Sequence, residues 1–231
     1  MLRPTKKPVI TVGRMWGDNV HTKFVDSLVE MILYTQAHVC DEDEYVHYEW
    51  GGCSWHSLGR NNLVEGMRGD WLLQLDTDHM FAPDLLKRMF NLVAKHPDIK
   101  VLSGIYQSKH PPHNPVMGLW SKEMKVVPVL NWTREAELIQ VGAVGAGCLL
   151  VKREVFKRIT TELGENPFDI LPGLSEDYSF CLRCHELDIP VFVAPKIECH
   201  HLVTTPLSIA DFGNLPGVQI KSQNGVLTLP D

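Results

Sequence analysis

An apolar segment that stops abruptly at two acids, WLLQLDTDHM at residues 71–80, constrains the fold more than any other part of the sequence. Trp71 to Leu75 has apolar side chains on both faces, which is typical of a central strand in a parallel sheet. In open α/β sheets, ligands bind outside the carboxyl ends of the strands. We therefore expect Asp76 and Asp78 to lie at a ligand-binding edge, on the same side because side chains alternate along an extended segment.

Two carboxylates at such an edge are costly unless water, a cation or hydrogen-bond donors reach them. A Mg²⁺ or Mn²⁺ ion takes one or two carboxylates and completes its shell with water and substrate phosphates. The chemistry that follows is stabilisation of a departing diphosphate. An Asp-x-Asp triplet alone is also compatible with a solvated turn, but the buried strand before it favours the cation site.

Strand and helix patterns alternate along the chain, which predicts an α/β domain with a mostly parallel central sheet flanked by helices. Apolar runs predict strands at 8–13, 71–75, 101–106, 142–151 and 190–194, and an edge strand at 126–130. Apolar stripes predict helices at 24–35, at 60–68 with Gly69 as the cap, from Pro83 to His96, from 153 onward, and at 176–187. Residues 38–59 show only weak periodicity.

The last of these helices begins with two acids. Ser175 is a favourable N-cap, and Glu176 and Asp177 fall in the first turn, where the helix dipole stabilises negative charge. That placement alone explains both acids. A carboxylate there can also accept a proton from an attacking hydroxyl within hydrogen-bond reach.

The composition is that of a soluble globular protein: of 231 residues, 44% are hydrophobic and 22% charged, and the net charge is −6. No basic tract indicates generic nucleic-acid binding, and no apolar stretch reaches the length of a membrane span. We therefore expect a cytoplasmic protein. Six dispersed cysteines in a chain of this size argue against a disulfide framework. We expect one domain over residues 1–205 and a tail or extension over 206–231.

Five segments, in this order, resemble the GT-A superfamily of glycosyltransferases, and its family 2 in particular. They are TVGR at 11–14, RNN at 60–62 with GDWLLQLDTD at 69–78, VGAGCLLVKRE at 144–154, SEDYSFCLR at 175–183, and the segment 191–202, which ends in CHHL. Each motif is short, but together they span roughly residues 8–202.

The resemblance implies a single GT-A-type nucleotide-diphosphosugar transferase domain that uses a nucleotide-sugar donor and a divalent metal ion. Asp78 and His201 would ligate the metal, and Asp76 would contact the donor ribose or share the metal. Asp177 would be the general base of an inverting enzyme, with Glu176 orienting it or binding an acceptor hydroxyl. The residues that the resemblance places around the nucleotide are Thr11, Gly13, Arg14 and Arg60.

Some roles have two explanations. The ligand is His200 or His201. The resemblance favours His201, whose spacing from Pro195 matches the family better, and His201 also shares a strand face with Cys199. Arg60 is equally consistent with a surface salt bridge. The small residues at 145 and 147 serve close strand packing and also let a sugar approach the backbone.

The substrates are less defined than the reaction. The donor can be a UDP- or a GDP-sugar, because the segment before Arg60 has no clear counterpart in the family. The acceptor can be a glycan, a protein, a lipid-linked sugar or a hydroxyl-bearing modified nucleic-acid base. The net charge of −6 slightly disfavours nucleic acid, and the lack of a membrane segment slightly disfavours the lipid.

Two other classes of protein compete with this interpretation. Cys181, Cys184, Cys199 and His201 have residue types that bind zinc in structural or nucleic-acid-binding modules. Against this, the first two cysteines fall inside a predicted helix, and cysteine is also a common core residue. A nucleotidyltransferase would share the sheet and the paired acids, but its glycine-rich loop is only faintly matched by TVGRMWG at 11–17.

Overall fold

A seven-stranded β-sheet forms the centre of the protein in the computed structural model, which describes residues 7–15, 20–52, 55–203, 221–223 and 226–228. Across the sheet the strands follow the order β2 (Glu44–Trp50), β1 (Lys7–Arg14), β3 (Trp71–Leu75), β10 (Cys148–Lys152), β5 (Val101–Ile105), β11 (Val191–Glu198) and β8 (Ile139–Val141).

The sheet is mixed, whereas the sequence predicted a mostly parallel one. Strands β2, β1 and β3 are parallel to one another, as are β5 and β11. Strand β10 runs antiparallel to both β3 and β5, and β8 runs antiparallel to β11. Parallel neighbours need a crossover connection, usually a helix. The segment between β5 and β10 contains no helix, and β10 therefore enters the sheet in the opposite direction.

Helices cover both faces of the sheet. They are α1 (Thr22–His38), α2 (His56–Glu65), α3 (Leu85–Lys95), α4 (Arg153–Arg158) and α5 (Glu176–Glu186), and a π-helical turn, Ile159–Leu163, follows α4. Alternation along β3 sends Leu73 into a core with residues of α1 and α3, and Leu72 into a second core with residues of α2, α4 and α5. The whole of β3 is buried, as the apolar run predicted.

Two of the predicted boundaries near β3 are wrong. Helix α2 begins four residues earlier than expected, at His56, and ends at Glu65 with Gly66 as its cap. Gly69 instead has a φ of +77° in the turn before β3, where a Cβ would lie 2.6 Å from the carbonyl oxygens of Pro8 and Val9. Glycine is therefore required at residue 69 by this turn, and it does not cap the helix.

Two strands of the sheet were not predicted. Strand β2 lies in the segment with weak periodicity, because it is an edge strand with most of its residues only partly buried. Strand β8 is short and lies at the opposite edge. The expected edge strand at 126–130 is β7 (Val126–Pro128), which pairs with β6 (Met117–Trp120) in a separate three-stranded sheet completed by β9 (Ala143–Val144).

A two-residue ladder at the carboxyl end of β3 positions the site. Strand β4 (His79–Met80) pairs antiparallel with β12 (His200–His201), and the register sets His79 opposite His201. The backbone N–H of Leu202 donates to the carbonyl of Asp78 at 2.7 Å. This ladder joins the end of β3 to the segment after β11.

The boundary predicted at residue 205 stays a prediction, because most of 206–231 lies outside the described residues. Two strands are described there, β13 (Lys221–Gln223) and β14 (Val226–Thr228), and they form an antiparallel pair. Among the described residues, no helix combines the length and apolar character needed to cross a membrane.

Candidate metal centre and transfer site

Three side chains converge where the β4–β12 ladder meets the end of β3. One potential ligand atom from each of Asp78, His79 and His201 lies within 4.8 Å of the other two. The Oδ1 atom of Asp78 is 3.2 Å from Nδ1 of His79 and 3.6 Å from Nε2 of His201. The rings of the two histidines are stacked, with centroids 4.2 Å apart. A carboxylate and two imidazoles are a recognised ligand set for divalent first-row metal ions.

Unpartnered polar atoms in this cluster fit a bound cation. His79 is fully buried, and neither of its ring nitrogens has a hydrogen-bond partner; the buried Oδ1 of Asp78 has none either. Buried polar atoms without partners are destabilising by about 1–3 kcal/mol each. A cation in contact with these atoms would remove that cost.

A second contact prepares His201 for ligation. Its Nδ1 lies 2.6 Å from the backbone carbonyl of Gln107, to which an Nδ1–H donates. With Nδ1 engaged there, Nε2 is the ring nitrogen that faces Asp78, 3.6 Å from its Oδ1. Metal-binding histidines commonly fix their tautomer through such a contact.

Tyr106 and Gly147 hold His79 in place. The Tyr106 ring packs edge-on against His79 with centroids 4.6 Å apart, and its hydroxyl accepts from the N–H of Gly147 at 3.0 Å. A Cβ on Gly147 would lie 2.6 Å from Cε1 of His79. The absence of a side chain at residue 147 therefore makes room for the imidazole.

Asp78 is ionised and also contacts a cationic side chain. Its outer oxygen, Oδ2, accepts a hydrogen bond from the ammonium of Lys109. Partial burial opposes ionisation, but His201, His79 and Lys109 together hold the pKa of Asp78 well below its usual range. The carboxylate is therefore charged at any physiological pH.

Asp76, the other predicted ligand, lies outside this cluster. Its Oδ1 forms a 3.0 Å salt bridge with Arg60. Asp76 and Asp78 both line a cavity of about 460 Å³. Sequence reasoning missed His79, although it directly follows Asp78 in the chain.

Arg60 connects three parts of the site from a buried position. Only 3% of its side chain is exposed. Its guanidinium donates to Asp76, to Glu176 at 3.1 Å, to Gln74 at 3.1 Å and to the carbonyl of Ala146 at 3.2 Å. Burial lowers its pKa, but the neighbouring acids raise it further, and the net shift is upward. Arg60 thus fixes two acids in place, rather than lying on the surface.

Asp177 lies at the start of α5 and lines the same cavity as Asp78 and His201. Its Oδ1 accepts from the hydroxyl of Ser175 and, at 2.8 Å, from the N–H of Tyr178. Burial is the main cause that raises the pKa of Asp177, and the charge of Glu176 adds to it, against the hydrogen bond from Ser175. A carboxylate with a raised pKa is a stronger base.

The three residues expected at the nucleotide from β1 differ in their surroundings. Thr11 is fully buried, and its hydroxyl bonds to the backbone of Arg68, so its side chain does not reach the cavity. Gly13 packs against Leu63, whose methyl carbons would lie 2.9 Å from an added Cβ. Arg14 lies at the carboxyl end of β1.

An aromatic surface surrounds Arg14. Its Nε donates to the hydroxyl of Tyr48, and its guanidinium carbon lies 5.4 Å from the ring centroid of Trp50. Both rings belong to β2 and are more than 40% exposed. Sequence reasoning missed these two residues because the 38–59 segment has weak periodicity.

The cysteines do not form the zinc site of the competing interpretation. Cys181 and Cys184 are buried inside α5, and burial raises the pKa of Cys181 to about 12, so it is a neutral thiol. Within the part of the chain that the structure describes, the cluster of Asp78, His79 and His201 is the only group of such side chains that could hold a metal. Cys53 lies outside the described residues.

Comparison with known proteins supports the fold and leaves the family open. No protein-family profile and no curated protein sequence matches the chain. The crystal structure of A197 from STIV is similar, with a TM-score of 0.55 and 14% identity over 85% of this chain and 86% of that one. The structure of GalNAc-T7 with UDP, GalNAc and Mn²⁺ has a TM-score of 0.55 and 13% identity over 84% of this chain.

The second of these similarities covers 44% of the GalNAc-T7 chain, so this protein spans less than half of its length. At such identities the likeness extends to the fold alone. The protein therefore has an α/β fold similar to those of A197 and GalNAc-T7, with a group of three side chains that could hold a metal ion.

Proposed function

We propose that the protein is a metal-dependent glycosyltransferase that moves a sugar from a nucleotide-diphosphate sugar to an acceptor hydroxyl, with inversion at the anomeric carbon. One observation carries the proposal: Asp78 and His201, two of the three side chains that could hold a metal ion, line one cavity of about 460 Å³ together with Asp177. The fold similarity to GalNAc-T7, whose structure contains UDP and Mn²⁺, agrees with it.

Asp78, His79 and His201 would hold the cation. When bound, a divalent ion supplies positive charge that stabilises a departing diphosphate. Two of the three side chains are imidazoles, which favour a transition-metal ion such as Mn²⁺ over Mg²⁺. Asp76, fixed by Arg60 3.0 Å away, would contact the donor ribose.

Asp177 would act as the general base. The acceptor hydroxyl attacks the anomeric carbon from the face opposite the leaving diphosphate, and its proton passes to the Asp177 carboxylate. Glu176, bonded to Arg60 at 3.1 Å, would stay in place and keep the first turn of α5 oriented. The new bond joins the acceptor oxygen to the anomeric carbon, and the electron pair of the broken bond leaves with the diphosphate.

The donor would extend from the cluster toward β1 and β2. Arg14, Tyr48 and Trp50 lie at the carboxyl ends of these strands and offer a cation and two exposed rings for a nucleotide. Both UDP- and GDP-sugars fit this chemistry. The acceptor, a glycan, a protein or a hydroxyl-bearing nucleic acid, would approach from the Asp177 side.

Thermal-shift screening of UDP- and GDP-sugars with Mn²⁺ tests the proposal. We expect at least one nucleotide sugar to raise the Tm only when Mn²⁺ is present, and slow release of nucleoside diphosphate from that donor. Asp78→Ala is the control and should lose the shift. Stabilisation by nucleoside triphosphates alone would favour a nucleotidyltransferase, and no response to any nucleotide would contradict both assignments.

A further inference from the structure

Three cavities meet at the side chain of Lys109. One of about 350 Å³ contains Trp132 and Arg134 in its walls, one of about 540 Å³ is lined by Val20 and His21, and the third is the 460 Å³ cavity that holds the proposed reaction. Lys109 lines all three. It therefore lies where substrates entering any of these cavities would approach the metal cluster.

The loop that carries Lys109 is held by its own hydrogen bonds. The N–H of Ser108 donates to the carbonyl of Asn114 at 2.9 Å, and the N–H of His113 donates to the carbonyl of His110 at 2.9 Å. At the base of the loop, the carbonyl of Gln107 accepts from His201. The backbone of residue 109 is therefore fixed relative to the metal cluster, while its four-carbon side chain can rotate.

The charges lining the reaction cavity are unbalanced without Lys109. Asp76, Asp78 and Asp177 all line it, and Lys109 is the only lysine or arginine among its described lining residues. The guanidinium of Arg60 lies behind the wall and is already bonded to Asp76 and Glu176. A single divalent ion on Asp78 does not neutralise both that carboxylate and a nucleoside diphosphate.

Lys109 also contacts the oxygen of Asp78 that faces away from the histidines. The Oδ1 atom faces His79 and His201, whereas Oδ2 accepts from the Lys109 ammonium. The lysine side chain is 38% exposed, and an ammonium has three donors. An ammonium that rests on Asp78 therefore keeps further N–H donors for an anionic group that enters the cavity.

We propose that Lys109 is a catalytic residue that binds the leaving diphosphate of the donor, and that it rests on Asp78 when no donor is bound. This rests on the proposed glycosyl transfer. The bond between the anomeric carbon and the diphosphate oxygen breaks, both electrons stay on that oxygen, and the Lys109 ammonium donates a hydrogen bond to the charged group. No proton moves from Lys109, because Asp177 takes the acceptor proton.

Isothermal titration of Lys109→Ala and Lys109→Arg with nucleotides in the presence of Mn²⁺ tests this. The probes are UDP and GDP, each paired with its monophosphate, UMP or GMP. We expect Lys109→Ala to bind the diphosphate about 10- to 100-fold more weakly, as loss of a charge-assisted hydrogen bond dictates. Its affinity for the monophosphate, which lacks the leaving phosphate, should change less than about threefold, and Lys109→Arg should recover most of the diphosphate affinity.

A second titration, with Mn²⁺ alone, distinguishes loss of the lysine from general damage to the site. Lys109→Ala should bind Mn²⁺ at least as tightly as the wild type, since a positive charge beside Asp78 has been removed. General damage to the site would instead weaken Mn²⁺ binding. The matched control is Lys125→Ala, which should leave every affinity unchanged, because Lys125 is 76% exposed and pairs with Glu123.

The outcomes separate the inference from the function on which it rests. A wild-type protein that binds neither diphosphate with Mn²⁺ overturns the proposed function and this inference together. A wild type that binds one of them, with Lys109→Ala binding it equally well, overturns the role of Lys109 alone. Equal losses for diphosphate and monophosphate would likewise overturn it, because the lysine would then not contact the leaving phosphate.

Discussion

His79 and Asp78 are the residues on which the proposed metal centre depends most. The imidazole of His79 is fully buried with two unpartnered nitrogens, and Asp78 is a carboxylate that two histidines and a lysine keep ionised. The buried nitrogens of His79 cost stability without a ligand, because they lose water and gain no hydrogen bond in return. The cost is consistent with a site shaped for an ion.

Replacing Asp78 by alanine should abolish transfer while the fold remains intact. The substitution removes the only carboxylate of the cluster, and the side chain is about one-third exposed, so little core packing is lost. Far-UV circular dichroism should match that of the wild type, and the Mn²⁺-dependent rise in Tm should disappear. Near-normal turnover in Asp78→Ala would count heavily against the mechanism.

Asp177 should give the reaction its acidic pH limit. Only the ionised carboxylate accepts a proton, and the pKa of Asp177 is raised. Activity should therefore fall as the pH drops through a value above the ordinary aspartate range. Asp177→Asn should keep donor binding by titration and lose about 10²- to 10⁴-fold in kcat. Retained transfer would place the base elsewhere or indicate a retaining enzyme.

The same shift makes a prediction about stability. A carboxyl group whose pKa is raised on folding favours the folded state at low pH, and that contribution is lost as the pH rises through the folded pKa. Asp177→Asn should therefore unfold at a Tm equal to or above that of the wild type at pH 7, with less difference at pH 4. A large loss of Tm at pH 7 would show that the ionised side chain supports the fold.

At the scale of elements, the β4–β12 ladder decides which histidine faces the cluster. Successive side chains of a strand point to opposite sides, so His200 and His201 cannot both reach Asp78. The register pairs His201 with His79, and His200 is exposed. The sequence-based choice of His201 as a metal ligand stays a prediction, and this register places His201, not His200, opposite His79.

The adjacent histidines provide a matched pair of variants. His201→Ala should weaken Mn²⁺ binding by at least about 10-fold. Losing a group that merely orients a metal ligand costs about that much, and losing the ligand itself should cost no less. His200→Ala changes the same residue type one position away and should bind Mn²⁺ as the wild type does. Equal effects of the two variants, measured by titration of Mn²⁺, would contradict the assignment.

Arg60 joins α2, β3 and α5, and replacing it should lower the free energy of unfolding. Truncation to alanine would leave Asp76 and the 12% exposed Glu176 without their shared partner. Breaking a buried ion pair from one side costs about 3 kcal/mol of unfolding free energy. Urea denaturation measures this, with Lys125→Ala as an exposed control expected to change stability by less than about 1 kcal/mol. If Arg60→Ala lowered the unfolding free energy by as little as Lys125→Ala, Arg60 would contribute little to the stability of the fold.

At the scale of the whole molecule, the α/β class and the buried strand β3 were predictable from the sequence, because both depend on local apolar patterns. The sequence did not predict the reversed direction of β10, which depends on the length and content of a distant connection. It also missed His79, since a single histidine beside an Asp-x-Asp triplet carries no signal of burial. Pairing with β12, which is distant in the chain, places that residue opposite His201.

The central claim is that a cation held by Asp78, His79 and His201 binds the diphosphate of a donor. Crystals grown with Mn²⁺ and UDP, measured for anomalous scattering by manganese, test it most directly. We predict one strong peak within bonding distance of a carboxylate oxygen of Asp78 and of a ring nitrogen of each histidine, with diphosphate oxygens completing the shell. Manganese bound elsewhere at full occupancy, with these three side chains still unligated, would contradict the account.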